Sequence, residues 1–236
     1  MKIDDQTQYT TSSELEIIKR NLPLEGKRVL ELGCGTAVMT RQLAETCAPV
    51  EIIATEVDEI QYQKNLLVDD LPLVRFIYGG AQQIDLDDES VDVVIMLKSL
   101  HHVPENLMSQ GMREIHRVLK PGGLAYFSEP VYKGSFNDIL RLFHDEEAVR
   151  QHAFQTIKHA VEEGRFWLVA QIFFNTPGHF RDFAEFEERV LKVTHTHHDI
   201  DEVLYQRIKQ AFEQHLTQDG AHFLKPTRVD LLRKPG

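Results

Sequence analysis

The first 130 residues alternate between two patterns of apolar positions. Short unbroken apolar runs read as buried strands, and apolar residues spaced three and four apart read as helix faces. The strand-like runs are Arg28–Leu32, Val50–Thr55, Val74–Tyr78, Val91–Leu97 and Leu124–Ser128. Between the first two, Met39, Leu43, Ala44 and Cys47 share one helical face, and further helices are expected at about Glu59–Leu67 and Pro104–Leu119. A helix precedes them all: Ser13 with Glu16 forms a capping box ahead of Leu15, Ile17 and Ile18, and Pro23 and Gly26 stop it. Strands alternating with helices in this way build a parallel sheet covered on both faces.

After Pro130 the pattern changes. Long helical stretches are expected at roughly Ser135–Gly164 and Ile200–Thr217, with Phe180–Val193 between them. Asp219-Gly220 then precedes two short apolar runs, Ala221–Leu224 and Arg228–Leu232, which read as an antiparallel closing strand or hairpin. The expected organisation is a core over 1–130, an α-helical cap or substrate insertion over 131–217, and closing strands over 218–236, all within one domain. Composition supports a folded enzyme or binding protein, with 42% hydrophobic and 27% charged residues. The net charge of −11 disfavours a polyanionic partner such as nucleic acid, and no basic patch offsets it. Two cysteines, Cys34 and Cys47, make no disulfide framework, and no apolar run approaches the ~20 residues that span a bilayer. The acidic start Met1–Gln6 does not read as a secretory peptide, so a cytoplasmic protein is expected.

The chemistry gathers where the first strand turns into its helix, at Glu31-Leu32-Gly33-Cys34-Gly35-Thr36-Ala37. Open α/β sheets bind ligands beyond the carboxyl ends of their strands, and glycines there let a ligand approach the backbone. A nicotinamide-binding turn needs a third glycine where this chain has Val38. Glu31, just before the turn, suits a cationic ammonium group and repels a phosphate. Glu56 ends the second strand, where a carboxylate can accept both hydroxyls of a ribose. The ligand read from these residues is a nucleoside that carries a cation.

Four segments in order carry a resemblance: Val29–Thr36; Ala54-Thr55-Glu56; Gly80-Ala81-Gln82 through Ser90–Val94; and Leu100-His101-His102-Val103-Pro104 running to Glu114–Gly123. Over about residues 25–130 the chain resembles the class I S-adenosylmethionine-dependent methyltransferases, in the group that includes ubiquinone/menaquinone-type and small-molecule enzymes. The resemblance implies a Rossmann-like, doubly wound, seven-stranded, mostly parallel sheet of order 3-2-1-4-5-7-6 with the α-helical cap inserted. It implies S-adenosylmethionine as cofactor, S-adenosylhomocysteine as product, a small-molecule methyl acceptor, and compatibility with a homodimer. By the same resemblance Glu31 faces the methionine ammonium, and Gly33, Cys34 and Gly35 line the methionine and ribose. Glu56 holds the ribose hydroxyls, Val57 packs on the adenine, Ala81 and Gln82 meet its edge, and Leu97 lies near the sulfonium. Two departures stand out: Gly80 replaces an acidic residue that many relatives carry, which leaves the adenine amino group to Gln82 or to backbone, and Ala37 replaces a third glycine.

Methyl transfer from a sulfonium needs alignment and exclusion of water above all, with a general base required only for some acceptors. The candidates for base or substrate contact follow the fourth and fifth strands: His101, His102, Glu129 and Tyr132. The aromatic residues Phe166, Trp167, Phe173, Phe174, Phe180, Phe183 and Phe186 are expected mostly in the core of the cap, with about a third of them at a ligand. His195-Thr196-His197-His198-Asp199 has the spacing of a metal site, but no second cluster completes it, so no metal is expected and Asp199 is read as the cap of the next helix. Leu97-Lys98-Ser99 matches neither an amino-methyltransferase motif nor a magnesium-dependent catechol-type site. A non-catalytic or modified-cofactor-binding protein, and an RNA or protein methyltransferase, are the competing readings.

Overall fold

Buried parallel strands need apolar side chains on both faces, and four of the runs picked out above form the centre of the sheet, while Val74–Tyr78 is an edge strand. The computed structural model describes residues 1–5, 9–192 and 199–236. In chain order, the first half holds β1 (Thr10–Thr11), α1 (Glu14–Asn21), β2 (Arg28–Leu32), α2 (Val38–Thr46), β3 (Glu51–Glu56), α3 (Glu59–Asn65), β4 (Val74–Tyr78), β5 (Val91–Leu97), α4 (Glu105–Val118) and β6 (Leu119–Pro130). The second half holds α5 (Ser135–Leu140), α6 (Glu147–Glu162), β7 (Trp167–Phe180), α7 (Phe183–Phe186), α8 (Glu202–Glu213), β8 (Leu216–Thr217) and β9 (Gly220–Arg233). A single 3₁₀ turn, Leu100–His102, follows β5, and a π-helical turn, Glu187–Leu191, follows α7.

The described residues form one nine-stranded sheet in the order β1-β7-β9-β6-β5-β2-β3-β4, with β8 paired to β9. Strands β4, β3, β2, β5 and β6 run parallel, and β9 enters antiparallel between β6 and β7. The Rossmann-like mixed sheet is therefore present, but it differs in detail from the seven strands expected. The edge strand β1 and the short β8 are additional. Trp167–Phe180, read as part of a helical cap, is a 14-residue strand. Of the two readings of the last apolar runs, antiparallel closing strand or hairpin, the first is found: they are one continuous strand, β9, which pairs on both sides. The long helix expected over Ser135–Gly164 is broken into α5 and α6.

Alternation along the strands sends side chains to opposite faces. Leu30, Leu32, Val94 and Met96 pack with α4 and α6, whereas Val29, Val93 and Ile95 pack with α1 and α2. A third cluster, built on Phe180, Phe186, Phe212 and Phe223, joins α5, α7 and α8 to the start of β9 and forms the interior of a cap. Phe166 and Phe174 belong to the two sheet clusters instead. The cap of α8 is Asp201, not Asp199: its side chain accepts from the Leu204 amide at 2.8 Å. No helix among the described residues is long and apolar enough to cross a membrane.

The register sets the site. Leu32 pairs with Thr55 and Met96, and Leu97 pairs with Ser128. Gly33, Glu56, Lys98 and Glu129 therefore gather at one end of the sheet, where the parallel strands have their carboxyl ends. The turn itself carries strain at Ala37, which sits at φ +58°, a left-handed conformation that costs a residue with a Cβ about 1–2 kcal/mol. Ala37→Gly should raise stability by roughly 0.5–1 kcal/mol, part of the relief being offset by the freer unfolded chain. Denaturant midpoints check this, and an unchanged or lower midpoint contradicts it.

Candidate functional site

Two compartments meet at this end of the sheet. The first is the glycine turn. Gly33 adopts φ +79°, and a Cβ there would lie 2.8 Å from the Cβ of Ser99, so only glycine lets the turn pack against the segment leaving β5. The Gly33 and Cys34 amides both donate to the Thr55 carbonyl, at 3.0 and 2.9 Å. Glu56 is gripped by three amides: Gly35 donates to Oε2 at 2.7 Å, and Val57 and Asp58 donate to Oε1 at 2.8 and 2.9 Å. A carboxylate has about four acceptor positions, so this grip fixes it and still leaves capacity for a hydroxyl donor. Cys34 is inert here, since burial and the nearby charges of Glu31 and Glu56 push its thiol well up.

Glu31 is 2% exposed. Its Oε2 accepts from the Thr40 hydroxyl at 2.6 Å, and among the described residues it has no ion pair. Burial pushes its carboxyl up to about 7, against the pull of the Thr40 hydrogen bond. Val57, by contrast, is 57% exposed beside the turn. The Gln82 carboxamide lies over Gly80, with Oε1 2.6 Å from where a Cβ would stand, so there is no room for an acidic side chain at 80 while Gln82 holds this position. Ala81 is buried against Gly111 of α4 and offers backbone only. Leu97 is half-buried against the α1/α2 cluster.

The second compartment is a cavity of about 440 Å³ between this end of the sheet and the cap. His101, His102 and Lys98 reach it from the segment after β5, and Lys225, Pro226 and Thr227 reach it from β9. Lys98 is held at φ +55°, a strained backbone position of the kind that collects at functional sites. His101 is 5% exposed, and its Nδ1 is hydrogen-bonded to Glu129 Oε2. Glu129 Oε1 accepts from the Leu100 amide at 3.0 Å. On the other side, His101 Nε2 is 3.7 Å from Glu146 Oε1. Arg150 donates to Glu146 Oε2 at 2.5 Å and to Asn137 Oδ1 at 2.7 Å, and His144 Nε2 lies 2.9 Å from Glu146 Oε1.

Burial alone would lower the His101 pKa, but the Glu129 charge and hydrogen bond, with Glu146 behind them, hold it above the ordinary histidine value. Glu129 is held below the usual carboxylate range by the same pairing, which overcomes its own burial. His101, His102 and Glu146 each place one ligand atom within 4.8 Å of the others. The cluster is nonetheless balanced by its own ion pairs, Glu129 with His101 and Glu146 with Arg150.

The candidates read from sequence separate accordingly. His101 and His102 line the cavity; Glu129 does not, being 2% exposed, and acts on His101 instead. Tyr132 does not line it either: its hydroxyl donates to Asp145 at 2.9 Å. Of the aromatic residues singled out, Phe180 lines the cavity, joined by Phe136 and Phe143. His195–His198 lie outside the described residues. Glu146, Arg150 and Lys225 were missed. An i,i+4 acid–arginine pair reads as an ordinary exposed helix pair, and a lysine before a proline reads as a turn.

Residues 30–127 match a family model described as a methyltransferase domain. The chain is 37% identical over 108 residues to an uncharacterized methyltransferase of Mycobacterium bovis, a match covering 46% of this chain and 42% of that protein. It is 33% identical over 105 residues to the demethylmenaquinone methyltransferase of Lysinibacillus sphaericus, covering 42% of each. The chain thus matches less than half the length of these curated relatives. In fold, a Bacillus halodurans protein that bears a methyltransferase name superposes with a TM-score of 0.66 at 17% identity, over 95% of this chain and 100% of that one. Residues 30–127 match a methyltransferase domain in sequence, and nearly the whole chain shares the Rossmann-like fold of the Bacillus halodurans protein.

Proposed function

We propose that the protein transfers a methyl group from S-adenosylmethionine to a small molecule held in the cavity under the cap. The observation that carries this reading is the joining of the two compartments by one segment. Leu97–His102 packs against the glycine turn at Ser99 and delivers His101 to the cavity. The residues of the turn fit the cofactor. Glu31 is a buried carboxyl without a cation partner among the described residues, Glu56 is a fixed acceptor with capacity to spare, and Val57 exposes an apolar surface beside the Gln82 amide. In this reading Glu31 takes the ammonium, Glu56 the ribose hydroxyls, and Val57 and Gln82 the adenine.

When bound, the cofactor supplies an electrophilic methyl group on sulfur. The chain's own part is to seat the acceptor in the cavity, exclude water and, for a hydroxyl or amine, receive its proton. His101 is placed for that step. In the neutral form of His101 the Glu129 contact keeps the remaining proton on Nδ1, which leaves the Nε2 lone pair for the acceptor. Glu129 is a positioning residue. The ion pairs already balance the cluster, so the proposal contains no metal. A quinone-type acceptor, as named for the Lysinibacillus relative, and other small acceptors are compatible with the cavity; the net charge of −11 argues against an RNA acceptor.

Release of S-adenosylhomocysteine on incubation with a panel of small acceptors tests the function. Turnover with at least one supports it; cofactor binding with no turnover on any supports the non-catalytic reading instead. Glu31 adds a pH signature. With its pKa raised to about 7, it is largely protonated at pH 6, and a bound ammonium favours its charged form. Binding must then release a proton, so affinity should rise by up to about tenfold per pH unit below 7 and flatten above it. Calorimetry in buffers of different ionisation enthalpy detects that proton, and Glu31→Gln should abolish it. Equal affinity at acid and neutral pH contradicts the assignment.

A further inference from the structure

We propose that Lys225, flanked by Lys98 and Arg189, forms an anion-binding subsite in the cavity, and that the acceptor is an apolar or aromatic molecule bearing a carboxylate or similar anionic group. The inference rests on the reading of this cavity as the acceptor site.

The chain as a whole is strongly acidic, yet among the described residues the Lys, Arg, Asp and Glu side chains that line the cavity are Lys98, Lys133, Arg150, Arg189 and Lys225 against Glu146. A cleft lined by one sign of charge concentrates the opposite sign in a ligand. Three of these cations have a carboxylate partner within the protein: Lys133 pairs with Asp4 and lies over the Tyr9 ring, Arg150 pairs with Glu146, and Arg189 pairs with Glu185. Among the described residues the carboxylate nearest Lys98 is Glu14, with Oε2 at 3.9 Å, and the two oxygens of Glu14 already accept from the Tyr126 and Ser128 hydroxyls at 2.7 and 2.9 Å. Arg189 bonds Glu185 at 3.0 Å and rests over the Phe180 ring at 4.9 Å.

Lys225 is the clearest case. Among the described residues it has no carboxylate partner, although it is half-buried. Its ammonium is held by ring faces instead, 3.9 Å from the centroid of Phe136 and 5.4 Å from that of Phe180. The opposite strand makes room for this pose: a Cβ at Gly178 would fall 2.6 Å from Lys225 Cε and 3.1 Å from Nζ. Desolvating an ammonium beside two like charges is unfavourable, and burial followed by the repulsion of Lys98 and Arg189 lowers the Lys225 pKa to about 8. An anion arriving between the three cations removes that penalty. Beside the polar side chains, the cavity wall carries apolar ones, including Leu140, Phe143 and Val190, and the volume of about 440 Å³ suits a compact organic molecule. Shape and charge together select an amphipathic anion.

The test uses two fluorescent probes that share a ring system, anilinonaphthalene sulfonate and the uncharged N-phenylnaphthylamine, titrated into the full chain at low salt. The wild type should bind the sulfonate at least about tenfold more tightly than the neutral probe. Lys225→Met should remove most of that preference and leave neutral-probe binding within twofold, and Lys225→Arg should restore it. Equal binding of both probes by the wild type, or a preference that survives Lys225→Met, overturns the subsite. Competition by naphthoate and by naphthyl phosphate then tells a carboxylate from a phosphate acceptor, and displacement by neither overturns the inference. Titration of the same proteins with S-adenosylmethionine separates the two readings. Absent anion preference in the wild type with intact cofactor binding overturns the subsite alone, whereas absent cofactor binding overturns the methyltransferase reading whatever the probes do.

Discussion

Replacing His101 by glutamine should lower kcat for a hydroxyl or amine acceptor by ~10²–10⁴-fold, the usual worth of a positioned general base, while S-adenosylmethionine binding stays within about twofold. His101 stands in the acceptor cavity and not in the glycine turn, so the substitution leaves every contact of Glu56 and Glu31 in place. The base form is the neutral imidazole. Because Glu129 and Glu146 hold the His101 pKa above the ordinary value, the acid limb of the kcat profile should lie above that of a free histidine, with activity rising as pH rises through it. Glu129→Gln removes the larger of these charges and should move the limb toward lower pH as well as reduce the rate. An effect of His101→Gln below about tenfold, or a limb at the ordinary histidine value, contradicts the role.

The second large effect is at Glu56. Glu56→Ala should weaken S-adenosylmethionine binding by about 2–4 kcal/mol, roughly 30- to 1000-fold, since it deletes the charged acceptor assigned to the ribose hydroxyls. It also frees the Gly35, Val57 and Asp58 amides that the carboxylate gathers. Thermal denaturation of the variant separates a folded protein that has lost its ligand from an unfolded one. Glu56→Gln retains an acceptor oxygen without the charge and should fall between the two. Cofactor affinity within threefold of wild type in Glu56→Ala would mean that the ribose is held elsewhere.

The central strands were legible because a strand buried on both faces must be apolar throughout, and β2, β3 and β5 are such runs. The turn and its two carboxylates were legible because the chemistry depends on residues close in sequence. β7 was hidden for a physical reason. It carries Gln171, Asn175, Thr176, Pro177 and Gly178, and among the described residues one of its flanks is paired with β1 at Phe174 and Asn175 alone. An edge of this kind tolerates proline and needs little apolar surface. In β9, Pro226 interrupts the apolar pattern, so one long strand looked like two short ones; the Pro226 carbonyl is used by the Val131 amide at 2.9 Å.

The acceptor side was legible only in part. His101 and Glu129 stood out by their places after β5 and β6, but their pairing depends on the parallel register that sets Leu97 beside Ser128. The Glu146–Arg150 pair looks like any exposed helix pair until α6 is seen to turn it toward the cavity. Lys225 gains its character from the rings of Phe136 and Phe180, about 45 or more residues away along the chain, and sequence spacing gives no sign of that.

The most direct test of the central claim is calorimetric titration of the purified protein with S-adenosylmethionine and S-adenosylhomocysteine, with a nicotinamide dinucleotide as control. The account predicts one site in the micromolar range for each of the first two and none for the dinucleotide. Binding of the dinucleotide, or of none of the three, would contradict it.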